Sequence, residues 1–277
     1  MSLLIDVATL QEWQQDPELR IFDVRYSLQD AGLGLRQYQQ AHIPGAQYVD
    51  LGKDLSGPVI SGQTGRHPLP DVDQLVSRLQ ELGVSNRSRV VLYDDGSHFF
   101  VPRLWWMLSL WLGHKQVFIL RGGMKSWLAE SGEVSSEIAL YPSGDFQPRL
   151  NPEVMIDAAS IPAFVKDGGL LLDARAPERY RGEIEPLDVR AGHIPGAHCL
   201  PCAATVDEQG HFQRAEKLRE LFSDLEGKDV VYYCGSGVSA CQSILGMVLA
   251  GLPPARLYPG SWSEWITDGS REIATGE

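Results

Sequence analysis

The chain mixes two hydrophobic periods. At positions 6–25, DVATLQEWQQDPELRIFDVR, apolar residues first recur at helical spacing. They then close into a short continuous run ending in Asp-x-Arg. The same order returns at 157–175, DAASIPAFVKDGGLLLDAR. Further on, Leu170–Asp173 predicts a strand followed by a helical stretch at Pro177–Arg181, and Val230–Tyr233 a strand followed by a helix over Ser239–Ala250. Short apolar strands alternating with helices predict an α/β protein. Each sheet should be parallel, with right-handed crossovers and helices on both faces.

The pattern is stated twice. AHIPGA at 41–46 is answered by GHIPGA at 192–197, RVVLYDD at 89–95 by DVVYYCG at 229–235, and GGMKSW at 122–127 by GSWSEW at 260–265. The blocks keep their order while loops of different length change the offset, which marks an internal duplication. We expect one domain over 1–130 and a second over 153–277. The polar, Pro- and Gly-punctuated stretch 131–152 is the expected linker.

Composition narrows the function classes. Of 277 residues, 43 % are hydrophobic and 22 % charged, values of an ordinary globular protein. No run of about 18 apolar residues predicts a membrane span. The start, MSLLIDVATLQEW, lacks the basic flank of a signal peptide. A formal charge of −12 repels phosphate backbones, so no nucleic-acid partner is expected. Four cysteines without a secretory signal predict free thiols in a reducing, cytoplasmic setting.

One cysteine sits where chemistry is expected. Cys234 follows the strand Val230–Tyr233 and opens CGSGVSA, a Gly- and Ser-rich turn leading into a helix. Ligands of parallel sheets bind beyond the carboxyl ends of strands, and Cys234 is on that edge. Gly235 and Gly237 let the backbone curl and present its N–H groups, and the helix N-terminus adds more. Such a setting lowers a thiol pKa from about 8.5 and makes a nucleophile at neutral pH. It could attack phosphorus or sulfur. A cysteine phosphatase needs an arginine six residues after the nucleophile, and position 240 is Ala. The remaining reading is a cradle for one anionic sulfur, a persulfide on Cys234.

Tyr38 with HIPGA at 42–46, HIPGA at 193–197, CGSGVSA at 234–240 and GSWSEW at 260–265 make the chain resemble the two-domain rhodanese/sulfurtransferase family over nearly its whole length. The resemblance implies two tandem rhodanese-like domains with the catalytic cysteine, Cys234, in the second. Asp94 stands at the matching place of a catalytically silent first domain. It also implies a sulfur donor, a thiol, thioredoxin-like or cyanide acceptor, and no metal or organic cofactor. Members that use 3-mercaptopyruvate carry Cys-Gly-Ser-Gly-Val, as here, whereas those that use thiosulfate tend to carry cations in the loop. The neutral loop therefore points to 3-mercaptopyruvate, with thiosulfate as the alternative and a non-enzymatic persulfide carrier behind it.

The resemblance also implies site residues. Gly235, Gly237, Val238 and Ser239 line the loop, and Arg179 in ERYRG matches the first arginine that holds the donor's carboxylate. The second would follow Glu185-Pro186, where this chain has Leu187, so either Arg190 replaces it or the site binds with one arginine only. The family's Asp–His–Ser proton relay maps Ser236 and His67 directly. Its aspartate position falls on Gly52, leaving Asp54 as the nearest candidate. His42 and His193 are expected to be structural, as are the pairs Asp23–Arg25 and Asp173–Arg175. Trp262 and Trp265 are expected either to wall a cleft or to pack in the core. Cys199 and Cys202 form a lone C-x2-C, too few ligands for a closed zinc site, and are expected to be inert, with a regulatory redox pair as the alternative. Cys241 is expected to pack inside the helix.

Overall fold

Nine strands appear among the described residues, 2–277 of a computed structural model, and all pair in parallel. The first sheet has β1 (Leu4–Ile5), β2 (Leu19–Asp23), β3 (Ala46–Tyr48), β4 (Arg89–Tyr93) and β5 (Val117–Leu120), in the order β1-β5-β4-β2-β3. The second has β6 (Leu170–Asp173), β7 (His198–Cys199), β8 (Val230–Tyr233) and β9 (Arg256–Leu257), in the order β7-β6-β8-β9. The strands that read as continuous apolar runs, β5 and β8, are buried at every position, and so is β2 although it carries Arg20 and Asp23. This is the burial that a parallel sheet covered by helices requires. The register Asp173↔Tyr233 between β6 and β8 sets Cys234, the next residue, just past the carboxyl end of the sheet.

The helices are α1 (Val7–Trp13), α2 (Leu33–Gln40), α3 (Val72–Glu81), α4 (Val101–Trp105), α5 (Gly123–Ala129), α6 (Ile161–Lys166), α7 (Pro177–Tyr180), α8 (Ala215–Leu221), α9 (Ala240–Leu249) and α10 (Ser261–Trp265). A π-helical turn, Trp106–Trp111, continues α4. Asp6 starts α1 by accepting from Thr9 N–H, and Asp71 starts α3 by accepting from Gln74 N–H, which satisfies donors that a helix leaves unpaired. No helix among the described residues is long and apolar enough to cross a membrane.

The chain divides into two units, and their borders differ from the contiguous halves expected. The first runs through Gly57 and includes Pro70–Asn151 and Gln209–His211. The second contains Pro58–Leu69, Pro152–Glu208 and Phe212–Glu277. The stretch expected as a linker is a strap on the first unit. Ser135 pairs with His42, Tyr141 donates to Gly45 O, Gly144 N–H donates to Gln80 O, and Phe146 is buried. Backbone groups that find partners do not stay free, whatever the Pro and Gly content.

The duplicated blocks build one polar node in each unit. In the first, Tyr93 donates to Asp23 (2.8 Å) and accepts from Ile43 N–H, while Arg25 grips Asp23 and donates to Ala41 O. In the second, Arg175 grips Asp173 and donates to Gly192 O, and Tyr233 accepts from Ile194 N–H. The HIPGA histidines stack on Tyr38 and Tyr180, with Nδ1 2.7 and 2.8 Å from the carbonyl oxygens of those tyrosines. They are structural, as expected. The charged Asp–Arg pairs are buried, and they persist there because each charge is paired and further hydrogen-bonded. Trp262 and Trp265 lie in the core of the second unit.

Candidate active site

The site is assembled within the second unit around the end of β8. Cys234 is 1 % exposed. Its main chain is pinned on both sides by α10. Cys234 N–H donates to Ser261 Oγ (3.1 Å), and the carbonyls of Cys234 and Gly235 accept from the amides of Trp262 and Ser263 (2.9 Å each). Ser261 itself has φ 56°, a left-handed backbone rare for residues other than glycine, and its hydroxyl also donates to Tyr258 O. The repeated GSWSEW block thus serves as a clamp on the cysteine loop.

Beyond Cys234 the chain turns through Gly237, at φ 74°, and enters α9 behind Ser239. Burial alone would raise the Cys234 thiol pKa. The Ser239 hydroxyl and the amides of Ala240 and Ser236 hydrogen-bond to the sulfur and outweigh burial, so the net shift is downward. The cradle expected from the glycines is therefore made by the amides of residues 236 and 240 and the hydroxyl of Ser239. Gly235 and Gly237 supply curvature and Val238 is buried in the loop. Cys199 and Cys202 behave oppositely. Burial pushes their thiols up to about 11 and about 12, leaving them protonated at neutral pH. Cys241 lies buried in α9 with its sulfur 3.4 Å from Gly237 O. No cluster of three or more metal-ligating side chains occurs among the described residues.

The segment Pro58–Leu69 brings two side chains to this loop. His67 Nδ1 lies 2.8 Å from Ser236 Oγ, so the expected His–Ser pair is formed. Arg66 N–H donates to Ser263 Oγ, and the Arg66 guanidinium forms a two-point ion pair with Asp188 (2.9 and 3.2 Å). A Cβ on Gly235 would lie 2.7 Å from Arg66 Nη2 and 3.5 Å from both terminal nitrogens of Arg179. Arg179, on α7, is bound to Glu185 (2.7 Å) and Asp188 (3.1 Å).

Two further expected residues, Asp54 and Arg190, make other contacts. Asp54 belongs to the first unit, where its carboxylate pairs with Arg78 (3.0 Å) and accepts from Asp50 N–H (2.8 Å). Both of its oxygens are engaged by groups of that unit. Arg190 offers its carbonyl to the Trp262 indole N–H, and its side chain makes no ion pair among the described residues. Sequence reasoning missed Arg66, Asp188, Ser261 and Ser263. Arg66 adjoins His67 in GRHPLP, so its candidacy followed once His67 was chosen, yet nothing local distinguishes it from a surface charge.

The rhodanese-like domain family model matches residues 6–130 and 157–268. The chain is 47 % identical over 268 residues to a Pseudomonas aeruginosa protein named "Probable 3-mercaptopyruvate sulfurtransferase", covering 95 % of this chain and 94 % of that one. It is 31 % identical over 261 residues to the thiosulfate sulfurtransferase of Rattus norvegicus, covering 90 % and 86 %. Among solved structures, the crystal structure of the 3-mercaptopyruvate enzyme SseA from Escherichia coli matches with TM-score 0.82 and 31 % identity, covering 95 % of this chain and all of that one. With both halves matched and a polarised cysteine at the end of β8, the chain belongs to the rhodanese family of tandem-domain sulfurtransferases and is a sulfurtransferase enzyme.

Proposed function

We propose that the protein moves sulfur from 3-mercaptopyruvate to a thiol or cyanide acceptor through a persulfide on Cys234. The observation that carries this reading is the Cys234 thiol held below its ordinary pKa by the Ser239 hydroxyl and two amides, against the pull of burial. The thiolate attacks the donor's sulfur. A sulfur–sulfur bond forms, the C3–S bond breaks, and its electron pair leaves on carbon as the enolate of pyruvate. The donor's thiol proton must reach that carbon. Ser236, hydrogen-bonded to His67, is the pair positioned to move it. Help of this kind is typically worth about 10²–10⁴-fold in rate.

What remains is pyruvate and an anionic persulfide. The amides and the Ser239 hydroxyl that stabilised the thiolate are suited to this second anion. An acceptor thiolate, on a small molecule or a thioredoxin-like protein, then attacks the outer sulfur. The sulfur–sulfur bond breaks and Cys234 leaves as thiolate, ready for another cycle. All four cysteines are free, which supports a reducing, cytoplasmic setting.

The loop 235–239, Gly-Ser-Gly-Val-Ser, contributes no cation, which favours a keto acid over a dianionic sulfonate. Thiosulfate is the second reading. In its favour are the two guanidinium groups beside Gly235, which suit a sulfonate as well as a carboxylate. The test compares kcat/KM for the two donors with cyanide as common acceptor. A clear preference for 3-mercaptopyruvate is expected, with release of pyruvate and loss of turnover in Cys234→Ser. A preference for thiosulfate would overturn the donor assignment.

A further inference from the structure

We propose that Arg66 is a substrate-binding residue that, with Arg179, grips the anionic group of the sulfur donor. This rests on the sulfur-transfer reading above and names a contact that it does not contain. The expected second arginine is absent from its place, where the chain has Leu187 (47 % exposed), and the Arg190 side chain makes no ion pair among the described residues. The Arg66 guanidinium, by contrast, stands over the residue that follows the nucleophile.

The geometry makes the pair a built feature. Asp173, Arg175, Glu185, Arg179, Asp188 and Arg66 alternate in sign along one chain of ion pairs. The inner members are almost sealed from solvent, with side chains 0–4 % exposed from Asp173 to Glu185, whereas Arg179 is 15 % and Arg66 29 % exposed. Charge is thus balanced inside, and the two outermost guanidiniums face the accessible end. Asp188 ties them together, taking Arg66 on both oxygens and Arg179 on Oδ2. Glu185 fixes Arg179 through Nε and Nη2 and also accepts from the amides of Leu187 and Asp188, so the loop carrying Asp188 is itself fastened.

These bonds use Nε and Nη2 of each arginine. Nη1 of Arg66 and Nη1 of Arg179 have no protein acceptor among the described residues. Arg66 Nη2 and both terminal nitrogens of Arg179 stand beside Gly235, so the pair matches a planar carboxylate, which a guanidinium recognises by directed, charge-assisted hydrogen bonds. Arg66 shares its loop with His67, so one segment supplies both a charge for the donor's anionic end and a partner for Ser236 at its sulfur.

The test is steady-state and half-reaction kinetics of Arg66→Ala and Arg66→Lys in the full chain. Losing one charge-assisted bond should raise KM for 3-mercaptopyruvate on the order of 10- to 100-fold, while kcat changes little. The lysine variant should recover part of the loss, keeping the charge without the fork. Cyanide discharge of Cys234 persulfide preloaded from inorganic polysulfide should proceed at the wild-type rate. Unchanged KM would overturn the proposal. So would an equal fall in both half-reactions, which would make Arg66 a structural support for the His67 loop. If the wild-type enzyme instead prefers thiosulfate, the donor assignment fails alone. KM of Arg66→Ala for thiosulfate then reads the same contact, and an unchanged value overturns it.

Discussion

Cys234 is nearly sealed from solvent, yet its thiol is held below its ordinary pKa. Its surroundings are dry, which favours the neutral thiol, yet three hydrogen-bond donors converge on the sulfur and reverse that preference. The consequence reaches stability. A thiol whose folded pKa lies below its unfolded value of about 8.5 stabilises the fold fully above that value. The contribution is lost as pH falls through the folded pKa. The stability advantage of wild type over Cys234→Ser should therefore grow from acid pH towards about pH 8.5, measured by denaturant titration at several pH values. Thiolate absorbance near 240 nm should rise below about pH 8.5 in the wild type and be missing from the variant over the same range. A first thiol titrating only above that value would contradict the cradle.

At the scale of elements, the cysteine loop is shaped by what packs beside it as much as by its own residues. The α9 helix begins behind Ser239, but α10 supplies the bonds to Cys234 and Gly235, and the Arg66 loop closes on Ser263. Gly65 shows how close that closure is, since a Cβ there would fall 2.6 Å from Ser263 Oγ and 2.7 Å from Gly260 O. Ser261→Ala removes the acceptor for Cys234 N–H at a fully buried position. It should cost about 1–2 kcal/mol in stability, read by chemical denaturation, because the amide is left without a partner. It should also lower kcat more than it raises KM, because the loop's alignment is disturbed while the arginines remain.

At the scale of the whole molecule, one architecture appears twice. The Tyr–Asp–Arg node and the stacked HIPGA histidine recur in both units. At the place of the nucleophile the first unit has Asp94, fully buried, with Oδ1 accepting from Gly96 and His98 amides. Its Oδ2 has no partner among the described residues, and burial holds its carboxyl above the usual carboxylate range. Below the unfolded carboxylate pKa, near 4, the group is neutral in both states. As pH rises the unfolded chain ionises first, so Asp94 weakens the fold towards neutrality. Asp94→Asn keeps the amide acceptor and removes the charge. It should raise unfolding free energy at pH 7 by about 1 kcal/mol, with the gain fading near pH 4. A stability loss at pH 7 would show that the carboxylate is needed.

The amino-acid sequence by itself determined the α/β class and the duplication, and it singled out Cys234 as the candidate nucleophile. These depend on local patterns: apolar runs, repeated turns, and a cysteine between a strand and a glycine loop. It also singled out His67, which folding sets against Ser236, and Arg179, which folding sets beside Gly235, through motifs short enough to match by eye. Only the tertiary structure decided that Asp54 pairs with Arg78, that residues 131–151 strap the first unit, and that Arg66 pairs with Asp188 and stands beside Gly235. Those facts join residues such as Arg66 and Asp188, 122 positions apart, or Arg66 and Ser263, 197 apart. A charged side chain reads the same in sequence whether it meets water or a buried carboxylate. Its role is set by the partner that folding brings within 3 Å, and no local pattern records that distance.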